Sequence, residues 1–124
     1  MKAKGVAAGV VLALWMAGVA AGQESVLTTV LLRNDTGFDI SRLFFAPSDS
    51  QEWGVDLLGE SGLLQQGEGA EYFVHHPAGC TGFDLMAVDT DGDAYLIPDY
   101  QVCEGGVQTV TFTLDEFNGP APDL

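Results

Sequence analysis

The chain has 124 residues, of which 18 are acidic and 4 are basic, so its formal net charge at pH 7 is −14. Such a surface repels nucleic acid and anionic lipid, because binding to either depends on basic side chains that replace counterions. The charge argues against a nucleic-acid-binding protein and favours cations or a basic protein partner, although acidity by itself also keeps an exported protein soluble.

The first 21 residues have the three-part layout of a secretory signal peptide. Lys2 and Lys4 form a positive start, residues 6–19 an apolar centre, and residues 19–21 a small-residue cleavage site. The alternative is a membrane anchor, but two glycines interrupt the apolar run, which is shorter than the roughly 20 apolar residues of a spanning helix. We therefore predict cleavage after residue 21 and a periplasmic or secreted protein without stable membrane insertion.

Cleavage would leave residues 22–124, and these 103 residues suffice for one small domain. Two arginines would then remain against eighteen acidic residues, which is a net charge of −16. We predict a β-sandwich domain over residues 22–114 and a flexible acidic tail over residues 115–124, where D-E-F-N-G-P-A-P-D-L is mostly polar.

Six stretches of the mature part have the composition of β-strands. Each is rich in β-branched, leucine or aromatic residues, and clusters of Asn, Asp, Gly and Pro separate them. The stretches are residues 26–32, 40–46, 70–75, 82–88, 94–97 and 107–114. Because no window of a dozen residues has a sustained helical period, the sequence predicts an all-β fold, a single antiparallel β-sandwich of about six to eight short strands.

Neighbouring residues of a strand face opposite sides of a sheet, and this rule separates two pairs of side chains. One of Phe44 and Phe45 should lie in the core, while the other is exposed or covered by the loop that carries Trp53. His75 and His76 should also point in opposite directions, so they cannot easily chelate one metal ion. We expect one histidine to be packed and the other solvated.

Cys80 and Cys103 are the only cysteines of the chain, and we predict a disulfide between them. An oxidising compartment pairs cysteines of exported proteins. Closing a loop whose ends are 23 positions apart contributes about 3 kcal/mol in the chain-entropy model. Because the chain has no C-x-x-C spacing, a redox-active pair is disfavoured.

The stretch D-T-D-G-D places three carboxylates around one glycine: Asp89, Asp91 and Asp93. An EF-hand loop that began at Asp89 would need glycine at its sixth position and glutamate at its twelfth, where this chain has Ala94 and Tyr100. The EF-hand template therefore does not fit.

Two hypotheses for this stretch remain open. Asp91-Gly92 is a dipeptide that tolerates the positive φ of a two-residue type I′ hairpin turn. Alternatively, the three carboxylates form a weak calcium site. Acidic residues of other loops could complete its oxygen cage: Asp35, Asp39, Asp49 or Asp56.

Several motifs carry a family resemblance. They are N-x-T-G-x-x-I from Asn34, L-F-x-A-x-S from Leu43, and W-G-x-D-L-L-G from Trp53, followed by Gly67. Over most of residues 28–112 the chain resembles a family of small exported bacterial domains. The resemblance implies a compact, C2-like β-sandwich of unassigned function, and similar chains are sometimes named argininosuccinate lyase.

That enzyme name does not fit this sequence. Such a lyase is a long, mostly helical, oligomeric enzyme, whereas the mature chain is short and β-patterned. We therefore assign no catalytic residue from the resemblance. Trp53 and Asp56, in its most specific motif, are candidate residues of a binding surface.

Two functions from different classes follow. The first is a non-enzymatic binding or structural module that requires no cofactor and whose acidic loops are available to calcium or to a basic protein partner. The second is a small hydrolase or lyase that uses paired carboxylates, which requires a carboxyl group with a raised pKa in a cleft.

Overall fold

The computed structural model describes residues 13–14 and 24–124, and this part of the chain is all-β apart from one short turn of 3₁₀ helix. Its strands are β1 (Ala13–Leu14), β2 (Ser25–Asp35), β3 (Ile40–Pro47), β4 (Gly69–Pro77), β5 (Cys80–Asp89), β6 (Asp93–Cys103), β7 (Val107–Thr113) and β8 (Phe117–Pro120). The six predicted strands are confirmed as β2 to β7. The signal-peptide prediction concerns residues 1–21, of which all but 13–14 lie outside the described residues.

Sheet A contains the strands in the order β1-β4-β2-β7. β2 pairs with β4 in antiparallel fashion over nine consecutive residue pairs, from Ser25 with Pro77 to Arg33 with Gly69. β2 pairs with β7 in parallel, because the chain reaches β7 from the other sheet. The sandwich is therefore mixed in this sheet, where the sequence predicted antiparallel strands.

Sheet B contains β3-β5-β6-β8, and its neighbouring strands are antiparallel. The predicted stretch 94–97 ends before Pro98, a residue that cannot donate a hydrogen bond to a neighbouring strand. The structure instead continues β6 to Cys103, with an irregularity in the pairing opposite Phe83 and Leu85. Asp99 takes a φ of +49° at this point, so a β-bulge accommodates the proline.

The core lies between the two sheets, where alternate side chains of both sheets meet. Sheet A contributes Val30, Leu32, Tyr72, Val74, Val110 and Phe112, and sheet B contributes Leu43, Phe45, Phe83, Leu85, Ala87 and Tyr95. The rings of Phe45 and Phe83 are in contact, with centroids 5.1 Å apart. Full burial of one such large side chain stabilises the fold by about 1.5–3 kcal/mol.

A second apolar cluster covers the outer face of sheet B. Its buried members are Phe44, Met86, Val88 and Ala94, with Trp53, Leu96 and Ala121 packed against them. The ring centroids of Phe44 and Trp53 lie 6.3 Å apart. This confirms the predicted division of the phenylalanine pair, since Phe45 lies in the main core and the Trp53 loop covers Phe44.

Residues 114–120 have regular secondary structure, within a segment for which the sequence predicted a flexible tail over residues 115–124. Leu114–Glu116 form a 3₁₀ turn with a capping box, in which the Thr113 amide donates to the Glu116 carboxylate at 2.7 Å. The next four residues form β8 on the edge of β6, and the amide of Ala121 donates to the carbonyl of Gly92 at 2.9 Å. The sequence signal was weak because β8 is short and contains Gly119 and Pro120.

The helical residues in the described part do not form a helix with the length and apolar character that a membrane crossing requires.

Candidate functional site

The carboxylate of Asp89 stabilises the turn between β5 and β6. Asp89 is only 3% exposed. Its Oδ1 accepts hydrogen bonds from the amides of Asp91 at 2.9 Å and Asp93 at 3.0 Å, and its Oδ2 accepts one from the hydroxyl of Tyr95 at 2.9 Å. Burial and the bond to Asp89 raise the pKa of Tyr95 to about 12. The Asp89 carboxylate therefore has a structural role.

The turn itself differs from the predicted one. The loop between β5 and β6 has three residues, and the amide of Gly92 donates to the carbonyl of Asp89 at 3.0 Å. Gly92 has a φ of +89°, whereas Asp91 does not have a positive φ. This geometry is a type I turn followed by a left-handed glycine, so the prediction of a two-residue type I′ turn is wrong.

Of the other carboxylates predicted for a calcium cage, Asp39 lies beside this turn, because its backbone carbonyl accepts a hydrogen bond from the amide of Thr90 at 3.1 Å. Asp35 accepts a hydrogen bond from the side-chain amide of Gln66, and Asp39 accepts one from the backbone amide of Gln66. Asp91 is exposed and Asp93 is half-buried. Within residues 13–14 and 24–124, no group of three or more His, Cys, Asp or Glu side chains is arranged to hold a metal ion.

The W-G-x-D-L-L-G loop covers the outer edge of β3. Oδ1 of Asp56 accepts hydrogen bonds from the amides of Leu43 and Leu58, both at 3.0 Å. The amide of Leu57 donates to the carbonyl of Leu43 at 2.8 Å, and Ile40 and Leu64 exchange two backbone hydrogen bonds. An exposed strand edge is prone to unwanted pairing, and this loop protects β3 from it.

Trp53 and Asp56, the residues predicted for a binding surface, both have structural contacts in the fold. Trp53 is half-buried against Phe44, and Asp56 is engaged with backbone amides. Tyr72 is fully buried below the loop, and its hydroxyl has no hydrogen-bond partner among the residues that the structure describes. Burial, and then the negative charge of Asp56, raise the pKa of Tyr72. The motif is explained by its structural contacts.

Asp56→Ala should lower the free energy of unfolding by about 1–3 kcal/mol, because it leaves two backbone donors without their acceptor. Asp56→Asn is the matched control, since its side-chain oxygen can still accept both bonds, and we expect a much smaller loss. Urea unfolding measures both values, and amide exchange at Leu43 reports the local opening. Equal stability of the alanine variant and the wild type would contradict the assigned role.

The buried histidine connects β4 to the region of the disulfide. Nε2 of His76 lies 2.6 Å from Oγ1 of Thr28, which donates a hydrogen bond to the carbonyl oxygen of Cys103 at 3.1 Å. His76 is fully buried and His75 is half-buried on the opposite side of the strand, as the alternation predicted. The disulfide between Cys80 and Cys103 is confirmed.

Two carboxylates that the sequence reasoning missed meet at the bulge of β6. Oδ1 of Asp84 accepts hydrogen bonds from the hydroxyl of Ser48 at 2.9 Å and from the amide of Asp99 at 2.8 Å. The same hydroxyl lies 3.5 Å from Oδ1 of Asp99. These contacts hold Asp99 in its left-handed conformation. The available signal was the Pro98-Asp99 pair inside a strand.

The outward face of sheet A carries exposed apolar side chains. Leu27 is 52% exposed and Val107 is 66% exposed. Thr29 lies opposite both Phe73 and Val107, so these three residues form one row across β4, β2 and β7. We define the sheet A face as Leu27, Thr29, Leu31, Phe73, Val107 and Thr109.

The register makes this face continuous. Leu27 and Leu31 lie two positions before and after Thr29 on the central strand, within reach of the Phe73 and Val107 side chains in the neighbouring strands. The strands that form the face, β2, β4 and β7, contain only two acidic residues, Asp35 and Glu71. Glu71 lies opposite Leu31, and Arg33 follows Leu31 on the same side of β2, so charged residues adjoin the apolar sheet A face at this end. The sequence could not show it, because it depends on which strands are neighbours.

Comparison of the chain with protein-family models, with curated proteins and with solved structures found no match. The family resemblance of the W-G-x-D-L-L-G motif therefore stays a prediction.

Proposed function

We propose that the protein is a non-enzymatic, exported binding module whose sheet A face holds an apolar segment of a partner protein. The observation that carries this proposal is the exposure of Leu27 and Val107 on the same face of sheet A as Phe73. Continuous exposed apolar areas on soluble domains mark interaction sites. Covering these side chains would recover part of the hydrophobic free energy that they lose in contact with water.

The charge distribution supports a partner with basic residues beside its apolar segment. The face itself has few charges, whereas the mature chain as a whole would have a net charge of −16. Such a field attracts basic groups and accelerates association, while the apolar contacts determine the lifetime of the complex. The partner that fits is therefore an apolar segment with basic flanks.

The use of the acidic residues favours a binding module over an enzyme. Asp56 accepts two backbone hydrogen bonds, and Asp89 accepts two backbone bonds and one hydroxyl bond. Asp84 accepts one backbone bond and one hydroxyl bond. These carboxylates stabilise a loop, a turn and a bulge. They therefore have structural roles, whereas a hydrolase or lyase would need carboxylates for acid–base chemistry.

The predicted signal peptide and the disulfide support export. Disulfides persist in oxidising compartments such as the bacterial periplasm. An exposed apolar face is also compatible with an exported protein when a partner covers it. We therefore place the proposed module in the periplasm or outside the cell.

The test uses phage-displayed random decapeptides selected on the purified, oxidised protein as the cell exports it. A selected peptide is synthesised and titrated calorimetrically against Leu27→Ser and Val107→Ser. Each substitution should weaken binding roughly tenfold or more, because removal of a contacting aliphatic side chain costs about 1.5–3 kcal/mol when it is fully buried.

Leu114→Ser is the matched control, since Leu114 is 59% exposed and lies outside the sheet A face. It should leave the affinity unchanged. Selection of no peptide, or equal losses in Leu114→Ser and the two face variants, would contradict the proposal. Selected peptides should contain several apolar residues together with Lys or Arg.

A further inference from the structure

The sequence contains two asparagines, and the fold places them in opposite environments. Asn34 is 1% exposed, and its side-chain amide donates hydrogen bonds to the carbonyl oxygens of Phe38 at 2.7 Å and Leu64 at 2.9 Å. Its Oδ1 accepts hydrogen bonds from the amide and the hydroxyl of Thr36. Both polar atoms of the Asn34 side chain are therefore bonded within the fold.

Asn118 lies in β8, and its side chain is exposed. Among the residues that the structure describes, none forms a hydrogen bond with its side-chain amide. The next residue, Gly119, has a φ of +78°, and no atom lies within 4 Å of the position that a Cβ would take there. The Asn118 side chain can therefore approach the backbone nitrogen of Gly119 without the hindrance of a following side chain.

The pairing of β8 with β6 changes register at these two residues. The flanking pairs are Asp93 with Pro120 and Tyr95 with Phe117. One residue of β6, Ala94, therefore lies opposite two residues of β8, Asn118 and Gly119, which is the arrangement of a β-bulge. Because a bulge leaves its extra residue outside the regular ladder, the sheet constrains this dipeptide less than the rest of the strand.

We propose that Asn118 is a site of spontaneous covalent modification, which converts it into isoaspartate through a cyclic imide with Gly119. The backbone nitrogen of Gly119 forms a bond to Cγ of Asn118. The side-chain nitrogen takes up the proton that the backbone nitrogen loses, and it leaves as ammonia. Water then opens the imide: addition at the backbone carbonyl gives isoaspartate, and addition at Cγ gives aspartate.

Isoaspartate would loosen β8 from β6, because it lengthens the main chain by one carbon atom. Contacts between the two strands lie on both sides of the modified residue. The rings of Phe117 and Tyr95 have centroids 5.8 Å apart, and the amide of Ala121 donates to the carbonyl of Gly92 at 2.9 Å. A longer link between Phe117 and Ala121 cannot keep both contacts in the same register. Release of β8 would uncover the outer edge of β6.

The test follows the purified, oxidised protein during incubation in mildly alkaline buffer, in which loss of the backbone proton accelerates imide formation. Peptide mapping by mass spectrometry should show the mass increase of an amide-to-acid conversion at Asn118 and no change at Asn34. Methylation by a protein isoaspartyl methyltransferase identifies isoaspartate among the products.

Asn118→Gln is the matched variant, because it keeps an exposed side-chain amide but would have to close a larger imide ring. Its glutamine should remain unmodified during the time in which half of the wild-type protein converts. A synthetic peptide of residues 113–124 gives the rate without the fold. An intact Asn118 in the folded protein would overturn the proposal, whether the free peptide converts or not.

Asn118→Asp separates the added charge from the lengthened main chain. Amide exchange at Ala121, measured by NMR, should be roughly tenfold or more faster in the isoaspartyl protein than in Asn118→Asp, because exchange there requires local opening of β8. Exchange at Val110, in the main core, should be the same in both proteins. Equal exchange at Ala121 in the two proteins would overturn the release of β8.

Discussion

Replacement of Asp89 by alanine is expected to lower the free energy of unfolding by about 3 kcal/mol or more. The buried carboxylate accepts hydrogen bonds from two backbone amides and from the Tyr95 hydroxyl. A hydrogen bond to a charged group contributes about 1.5–3 kcal/mol, and a buried donor without its partner costs about 1–3 kcal/mol. The variant should therefore be among the least stable single substitutions of this domain.

Asp91→Ala is the matched control for this prediction, because Asp91 lies in the same turn and its side chain is exposed. Its stability should stay within about 0.5 kcal/mol of the wild type in urea unfolding. If Asp89→Ala were as stable as Asp91→Ala, the carboxylate of Asp89 would not stabilise the turn.

The titration of Tyr95 gives an independent measure of the same contact. Burial, followed by the hydrogen bond to Asp89, raises its pKa from 10.0 to about 12. The neutral hydroxyl therefore stabilises the fold fully below pH 10, and this contribution is lost as the pH rises through about 12. Asp89→Ala should lower the pKa of Tyr95, as measured by ultraviolet absorbance, because it removes a hydrogen bond and a negative charge.

Removal of the disulfide is the second change with a large expected effect. Cys80 and Cys103 lie opposite each other on β5 and β6, and their sulfurs close a loop of sequence separation 23. The double variant Cys80→Ala/Cys103→Ala should lose about 3 kcal/mol of unfolding free energy, because its unfolded chain gains conformational freedom. Urea unfolding at neutral pH measures the loss.

Wild-type protein in the presence of a thiol reductant is the control for that measurement. Cys80 is exposed, so the reductant can reach the bond. Reduced wild type and the double variant should unfold at similar urea concentrations, both well below the oxidised wild type. A double variant as stable as the oxidised protein would show that the β5–β6 pairing alone supplies the constraint.

The sequence predicted those features of the fold that depend on local patterns. The alternation of β-branched and aromatic residues identified β2 to β7, and the opposite orientation of adjacent residues separated Phe44 from Phe45. The disulfide followed from two cysteines and an inferred oxidising compartment. All of these inferences use neighbouring residues or composition.

The features that the sequence did not predict depend on distant partners. β8 has only four residues and is defined by its pairing with β6. The roles of Asp56 and Asp89 depend on the amides that their carboxylates meet after folding. The parallel pairing of β2 with β7, which aligns Val107 with Thr29, is a property of the chain path between the sheets.

The candidate site also depends on residues that are distant in the sequence. Leu27, Phe73 and Val107 come from three separate stretches of sequence, and their own strands give no sign that they form one face. The W-G-x-D-L-L-G motif, which carries the family resemblance, covers the edge strand β3. A binding surface that arises from strand register becomes visible only once the order of the strands is known.

Amide chemical shifts of the exported, oxidised protein, measured with and without the decapeptide, locate the peptide on the domain. We expect the largest shifts at Leu27, Leu31, Phe73 and Val107, because these residues belong to the sheet A face. Largest shifts in the acidic turn around Asp91, or in the loop that carries Trp53, would contradict it.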